Sequence, residues 1–350
     1  MEAALKLLPS AVEKQAQAQY ENLLKGIERY QQAYKPRTLA DMPTIWQRGS
    51  ARLLDYGVLL KGTPITTVLL VPSLINRYYI LDLSEKQSFA RYLATKNIYP
   101  IVMDWGVPTE AEYGFDMAAY VQKILLPAID FCATTSAASL HLAGYCLGGV
   151  LTLAATQLTK QPIQSLALLA TPWDFEAEDV NIPRMNEPWC SAAKVEILKQ
   201  PMLSAHALQA LFMLRQPFAF EQKFSRFASC DNEREAEEFM QLEQWVNDGV
   251  AMTSPAACDC LLNWIQRNHL AKNSWKVSGQ IIRPEKIKLP CFVSIPKQDV
   301  IVPYGCSSAL VQQLSNVTSS SPNAGHVGMI VGSRAKKQMW EPYVDFLVGT

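Results

Sequence analysis

The chain has 350 residues, 49% of them hydrophobic, and its 32 basic and 32 acidic side chains give a formal net charge of zero. That is enough apolar material for one large α/β domain or two smaller ones. There is no bulk basic field for nucleic acid and no acidic tail. No run of roughly 18 apolar residues suggests a transmembrane segment, and the N-terminus lacks the basic and apolar regions of a secretory signal. The eight cysteines are scattered through a long chain, which suits reduced thiols in a cytoplasmic protein better than a disulfide scaffold.

In chain order, residues 11–34 have the spacing of an amphipathic helix, with Leu23, Leu24, Ile27 and Tyr30 on one side. The apolar run 66–70 reads as a buried strand, broken by Val71-Pro72-Ser73. Helical spacing follows over 84–94, then a second buried strand over 99–103, stopped by Asp104-Trp105-Gly106. A helix over 116–131 carries Pro127 near its last turns. A third strand (140–143), a helix (147–158) and a fourth strand (166–170) complete the first half. A fifth strand (291–295) and two helices (307–314 and 334–346) close the chain.

Short apolar strands alternating with longer helices predict an α/β architecture, a mostly parallel sheet covered on both faces. The alternation fails between about 174 and 279, a stretch rich in Phe, Met, Trp and Leu that reads as helical without strands. An insertion at that point belongs over the C-terminal edge of the sheet, as a cap. The expected organisation is therefore an N-terminal helical segment (1–50), a core (51–173 and 280–350) and a helical cap (174–279). Trp245, Trp264 and Trp275 are read as cap packing. Cys258-Asp259-Cys260 offers two thiols with no histidine set nearby and is not read as a metal site.

Gly144-Tyr145-Cys146-Leu147-Gly148 runs from strand through tight turn to helix. It is the nucleophile-elbow pattern with cysteine in place of serine. A strained turn needs residues without bulk two before and two after the nucleophile. The N-terminus of the following helix favours a thiolate, and the Leu147 N–H is a candidate oxyanion donor. The expected chain order is nucleophile, acid, histidine. Of four histidines, His141 precedes the nucleophile, and His206 and His269 fall in the insertion. His326 follows the last strand in Asn323-Ala324-Gly325-His326-Val327-Gly328, where small neighbours suggest close approach. It is the candidate general base. Asp299, just after the 291–295 strand, is the candidate acid that holds its tautomer. A second oxyanion donor is expected from the backbone of Leu74 or Ile75.

These segments resemble the polyhydroxyalkanoate synthase family. Residues 71–83 (VPSLINRYYILDL) are similar to its P-x-x-I-N-[KR]-x-Y-I-L-D-L block, and Asp104-Trp105-Gly106 to its D-W-G segment. The elbow, Gln298-Asp299-x-x-Val302-Pro303 and Gly325-His326-Val327-Gly328 resemble its remaining blocks, in the same order. Residues 184–189 have no counterpart in it. The resemblance implies a Cys146–His326–Asp299 triad in an α/β-hydrolase core with a cap. It implies polymerisation of 3-hydroxyacyl-CoA through a Cys146 thioester with release of CoA, the thioester being the substrate and no further cofactor being involved. The short chain is similar to synthase subunits that work with a second, non-catalytic subunit. A homodimer and the surface of a polyester granule in the cytoplasm are the other candidate associations. The alternative is a thioesterase or intracellular polyester depolymerase with the same triad. A non-catalytic granule protein would call for a broken triad, and this one is whole.

Overall fold

A computed structural model describes residues 10–135, 138–177, 182–215 and 218–350. The extreme N-terminus, read above as lacking a signal, lies outside the described residues, as do the side chains of residues 184–189.

Eight strands form one sheet in the order β1-β2-β4-β3-β5-β6-β7-β8. They are β1 (Thr44–Arg48), β2 (Ala51–Asp55), β3 (Thr66–Val71), β4 (Ile98–Asp104), β5 (Leu140–Tyr145), β6 (Ile163–Leu169), β7 (Cys291–Ser294) and β8 (Val317–Ser320). From β4 to β8 every pairing is parallel, while β1–β2 and β2–β4 are antiparallel. The central strands β3 and β5 are buried at every position, as continuous apolar runs covered on both faces should be. The chain passes from β3 outward to β4, then returns to the other side of β3 for β5. That reversal leaves a crevice beyond the C-terminal ends of β3 and β5, where open α/β sheets bind ligands.

Three expectations need correction. The N-terminal segment is not wholly helical, because β1 pairs with β2 and the 50/51 boundary falls inside that hairpin. Strand β8 was not foreseen, because Val-Thr-Ser-Ser on a half-exposed sheet edge has no apolar run to reveal it. The insertion is not free of strand, since Met202–Leu203 pairs with Met252–Thr253 and Lys276–Val277 with Gln280–Ile281. Helix bounds also shift. The helix expected from 84 starts at Phe89, where Ser88 Oγ caps the Arg91 N–H at 3.0 Å. Ahead of Pro127 the helix widens to a π segment, Tyr120–Leu125, with the Leu126 N–H bonded to the Val121 carbonyl. The wider turn moves the backbone off the proline ring and continues the helix as Leu126–Thr135.

The insertion leaves the sheet after β6 and returns before β7. Its helices are Ile182–Lys199, Ala205–Arg215, Ala219–Ala228 and Glu233–Asn247, followed by a π-helical Cys258–Gln266. It bonds to loops at the C-terminal ends of the strands: Val250 N–H to Ile75 O at 2.9 Å, and Asn268 Nδ2 to Asp174 Oδ1 at 2.7 Å. Trp264 packs edge-on against Trp275 with centroids 5.0 Å apart, both inside the insertion. The N-terminal helix Ser10–Ala33 lies on Ala219–Ala228 of the insertion.

Candidate active site

Cys146 sits between β5 and the helix Leu147–Leu158 with φ 56° and ψ −126°, a conformation unfavourable for any side chain. Its N–H bonds to Leu169 O on β6 at 2.9 Å, and its carbonyl accepts the Gly149 N–H at 2.9 Å. The flanking glycines are a steric requirement. A Cβ on Gly144 would stand 2.4 Å from Gly149 Cα, and one on Gly148 would stand 2.2 Å from Val71 O. The turn therefore presses the helix start against the ends of both β3 and β5.

Asp299 and His326 converge on this point from the ends of β7 and β8. Asp299 Oδ1 accepts the N–H groups of Ile301 (2.9 Å) and Val302 (2.8 Å), which aims Oδ2 at His326 Nδ1, 2.7 Å away. The remaining ring nitrogen is left for Cys146, with which His326 shares a side-chain hydrogen bond. The imidazole also lies on the Tyr145 ring, centroids 5.1 Å apart, and Tyr145 Oη bonds to His326 O at 3.2 Å. Burial by itself would push the His326 pKa down. The charges of Asp299 and of a Cys146 thiolate, with their hydrogen bonds, outweigh it and raise the pKa to about 10. The site thus favours a protonated His326 imidazole.

Gly325 and Gly328 are not there for close approach, contrary to the sequence reading. A Cβ on Gly325 would meet only Gln298 O at 3.5 Å, and one on Gly328 only Ala324 Cβ at 3.7 Å. The other histidines stand apart from this chemistry. His141 is buried against Ser165 Oγ at 2.6 Å, and burial lowers its pKa to about 4. His206 is exposed and His269 half-buried.

Leu147 opens its helix, so its N–H has no partner within it. Residues 72–76 leave β3 beside the elbow, since Val71 pairs with Gly144. Of the two donors considered there, Ile75 gives its N–H to Ser73 Oγ at 3.3 Å, which leaves Leu74 as the candidate. Trp105 Nε1 holds this loop by bonding to Pro72 O at 3.0 Å. Cys146 and His326 are each only 7% exposed.

Much of the 71–83 block proves structural. Asp82 is fully buried, receives Arg91 Nε at 2.7 Å and Nη2 at 3.2 Å, and accepts Tyr56 Oη at 2.7 Å. Nearby, Asp41 gathers Tyr78 Oη, Arg37 and Arg52, and Arg52 reaches on to Asp104 Oδ2 at 2.8 Å. Arg77 and Tyr79 point to the insertion instead, onto Asp248. Asp248 could not be found from the sequence, because its partners lie about 170 positions away and no periodicity links them.

A family model described as the N-terminus of poly-beta-hydroxybutyrate polymerase matches residues 38–93. A poly(3-hydroxyalkanoate) polymerase subunit of Haloferax mediterranei is 26% identical over 86% of this chain and 62% of its own length. That of Haloarcula marismortui is 24% identical over 86% and 66%. That of Thiocystis violacea is 23% identical over 81% and 80%. The chain is similar to the poly(3-hydroxyalkanoate) polymerases over most of its length. It spans somewhat less than two thirds of the length of the two haloarchaeal relatives. Among solved structures, a bromoperoxidase from Bacillus anthracis superposes with a TM-score of 0.55 at 14% identity, over 85% of this chain and 95% of its own. An enol-lactonase from Burkholderia xenovorans gives 0.51 at 17% identity, over 87% and 99%. These neighbours and the sheet order identify the α/β-hydrolase fold. The segment matched by the polymerase model holds β1 to β3, the donor loop and the Asp82 cluster, but not the triad.

Proposed function

We propose that the chain transfers 3-hydroxyacyl groups from coenzyme A to Cys146 and on to the hydroxyl of a second monomer or growing polyester. In the first step Cys146 Sγ attacks the thioester carbonyl, its proton resting on His326. The carbon–sulfur bond to coenzyme A breaks, and the departing thiolate takes that proton. In the second step a 3-hydroxyl attacks the acyl-Cys146 carbonyl, His326 accepts the hydroxyl proton, and the Cys146 sulfur leaves. Asp299 holds the imidazole and stabilises its charged form. Exchange of one thioester for another keeps the acyl group activated, which is a reason for sulfur here.

The observation that carries this reading is a cysteine at the elbow joined to a complete His326–Asp299 pair. The low exposure of Cys146 favours transfer over hydrolysis, because a largely buried site admits less water to the acyl-enzyme. The proposed associations are 3-hydroxyacyl-CoA, a second non-catalytic subunit, a second copy of the chain and a polyester granule. The assay supplies 3-hydroxybutyryl-CoA and follows coenzyme A release together with polymer mass. Release matched by polymer, and lost in Cys146→Ala, is the expected result. Release matched only by free acid would establish the thioesterase alternative.

A further inference from the structure

The loop that offers the Leu74 N–H is held from two sides. Trp105 fixes its start in the core. Its far end is tied both to the core, where Tyr78 Oη bonds to Asp41, and to the insertion. Asp248, just past the helix Glu233–Asn247, accepts Arg77 Nε on Oδ1 at 3.2 Å and Tyr79 Oη on Oδ2 at 2.9 Å. Trp245 Nε1 bonds to Arg77 O at 2.8 Å, Asn76 forms an antiparallel bridge with Gly249, and Val250 N–H bonds to Ile75 O at 2.9 Å. Residues 245–250 thus grip residues 75–79, one residue beyond the candidate donor, through four contacts, the Val250 bond being part of the Asn76–Gly249 bridge. The Asp248 side chain is 43% exposed, so its ion pair adds little to global stability. What it does is set a position.

We infer that Asp248 is a positioning residue: by gathering Arg77 and Tyr79 it fixes, from the cap, the loop whose Leu74 N–H receives the oxyanion. This rests on the reading of Cys146 as an acyl-accepting nucleophile. It has a consequence for turnover. Cys146 is 7% exposed, and any movement of the insertion that admits an acyl donor carries the grip on residues 75–79 with it. The oxyanion site is then complete only when the cap is seated, which ties bond breaking to a site closed against water.

The test separates acylation, which builds an oxyanion, from alkylation of the same sulfur, which does not. Asp248→Ala and Asp248→Asn are compared with wild type in three measurements on the full chain. These are the nitrophenol burst from p-nitrophenyl butyrate, coenzyme A release from 3-hydroxybutyryl-CoA, and alkylation of Cys146 by iodoacetamide. Removing an oxyanion donor outright costs about 100- to 1000-fold in kcat, so displacing one should cost about 10- to 100-fold. Asp248→Ala is expected to lose that much in the burst rate, with KM within about twofold. Its alkylation rate should match wild type. Asp248→Asn, which keeps an acceptor oxygen for Tyr79, should recover most of the loss. A wild-type burst rate in Asp248→Ala overturns the inference. So does an alkylation rate that shifts in step with the burst, since that marks a general loosening of the site. Wild type that releases nitrophenol but not coenzyme A overturns the polymerase reading, while the nitrophenyl ester still decides the part played by Asp248. Wild type inert toward both acyl donors overturns both.

Discussion

The chemistry of the site turns on one proton. His326 is buried, and burial alone would strip it of charge, yet Asp299 and Cys146 raise its pKa from the ordinary 6.5 to about 10. The folded state therefore holds a proton that the unfolded chain releases near 6.5. Below that pH both states are protonated, and the stabilisation is present in full. As pH rises from about 6.5 to about 10 only the folded state keeps the proton, so stability drains away, and above about 10 it is gone. Removing the Asp299 charge removes its share of the upward shift. Thermal melts of wild type and Asp299→Asn across this window should converge: wild type loses Tm steadily as pH rises, and the variant loses less. Parallel curves would show that Asp299 does not hold the imidazolium. The candidate triad was legible at this scale because spacing and chain order name it without coordinates. Asp248 was not, since nothing local marks it.

Elements were legible in proportion to their burial. The strands β3, β4, β5, β6 and β7 announce themselves as apolar runs because both faces are covered. Strands β1, β2 and β8 sit at the two ends of the sheet. Their half-exposed positions admit Gln, Arg, Thr and Ser, so no run forms. The glycines divide in a similar way. Those around Cys146 were read as a packing requirement and are one, whereas those around His326 were read the same way and are not. A Cβ at Gly148 would meet the backbone oxygens of Val71 (2.2 Å) and Pro72 (2.4 Å), which cannot rotate aside, whereas one at Gly325 meets ordinary van der Waals space. Gly148→Ala should therefore cost about 1–3 kcal/mol, as overpacking does. It should also reduce acylation by pushing the helix start off β3. Gly325→Ala should stay within about 0.5 kcal/mol of wild type, as unstrained substitutions do. Denaturant melts of the two variants check the pair. Equal costs would mean that the elbow relaxes more easily than its contacts indicate.

On the scale of the whole molecule, the N-terminal segment binds the insertion to the core. Its helix crosses Ala219–Ala228 at Gly26, where a Cβ would lie 2.0 Å from Phe224 O. Arg29 Nη1 bonds to Phe227 O at 2.8 Å, its guanidinium lies 4.8 Å from the Phe227 ring centroid, and Tyr30 meets Phe224 edge-on at 5.7 Å. The same segment then runs to the core, where Arg37 and Asp41 join the network of Asp82, Arg52 and Tyr78. The insertion is thus held by its grip on residues 75–79 and by this strap. Gly26→Ala opposes two effects of different sign. Helix propensity alone would make it stabilising by about 1 kcal/mol. The contact with a backbone oxygen of the insertion instead forces the two helices apart, which breaks the Arg29 bond and frees Ala219–Ala228. The second effect should win, because the obstacle is main chain in a neighbouring helix rather than a side chain that can turn away. Hydrogen exchange is the measurement that separates them. Amides of Ala219–Ala228 should exchange about tenfold faster or more in Gly26→Ala, as weakened sub-global units do, while those of β3 and β5 keep wild-type protection. Slower exchange in Ala219–Ala228 would mean that propensity prevails and that the crossing does not fasten the insertion. If the strap does set how readily the insertion lifts, the same variant should also alkylate Cys146 faster, because its 7% exposure would rise each time the insertion lifts.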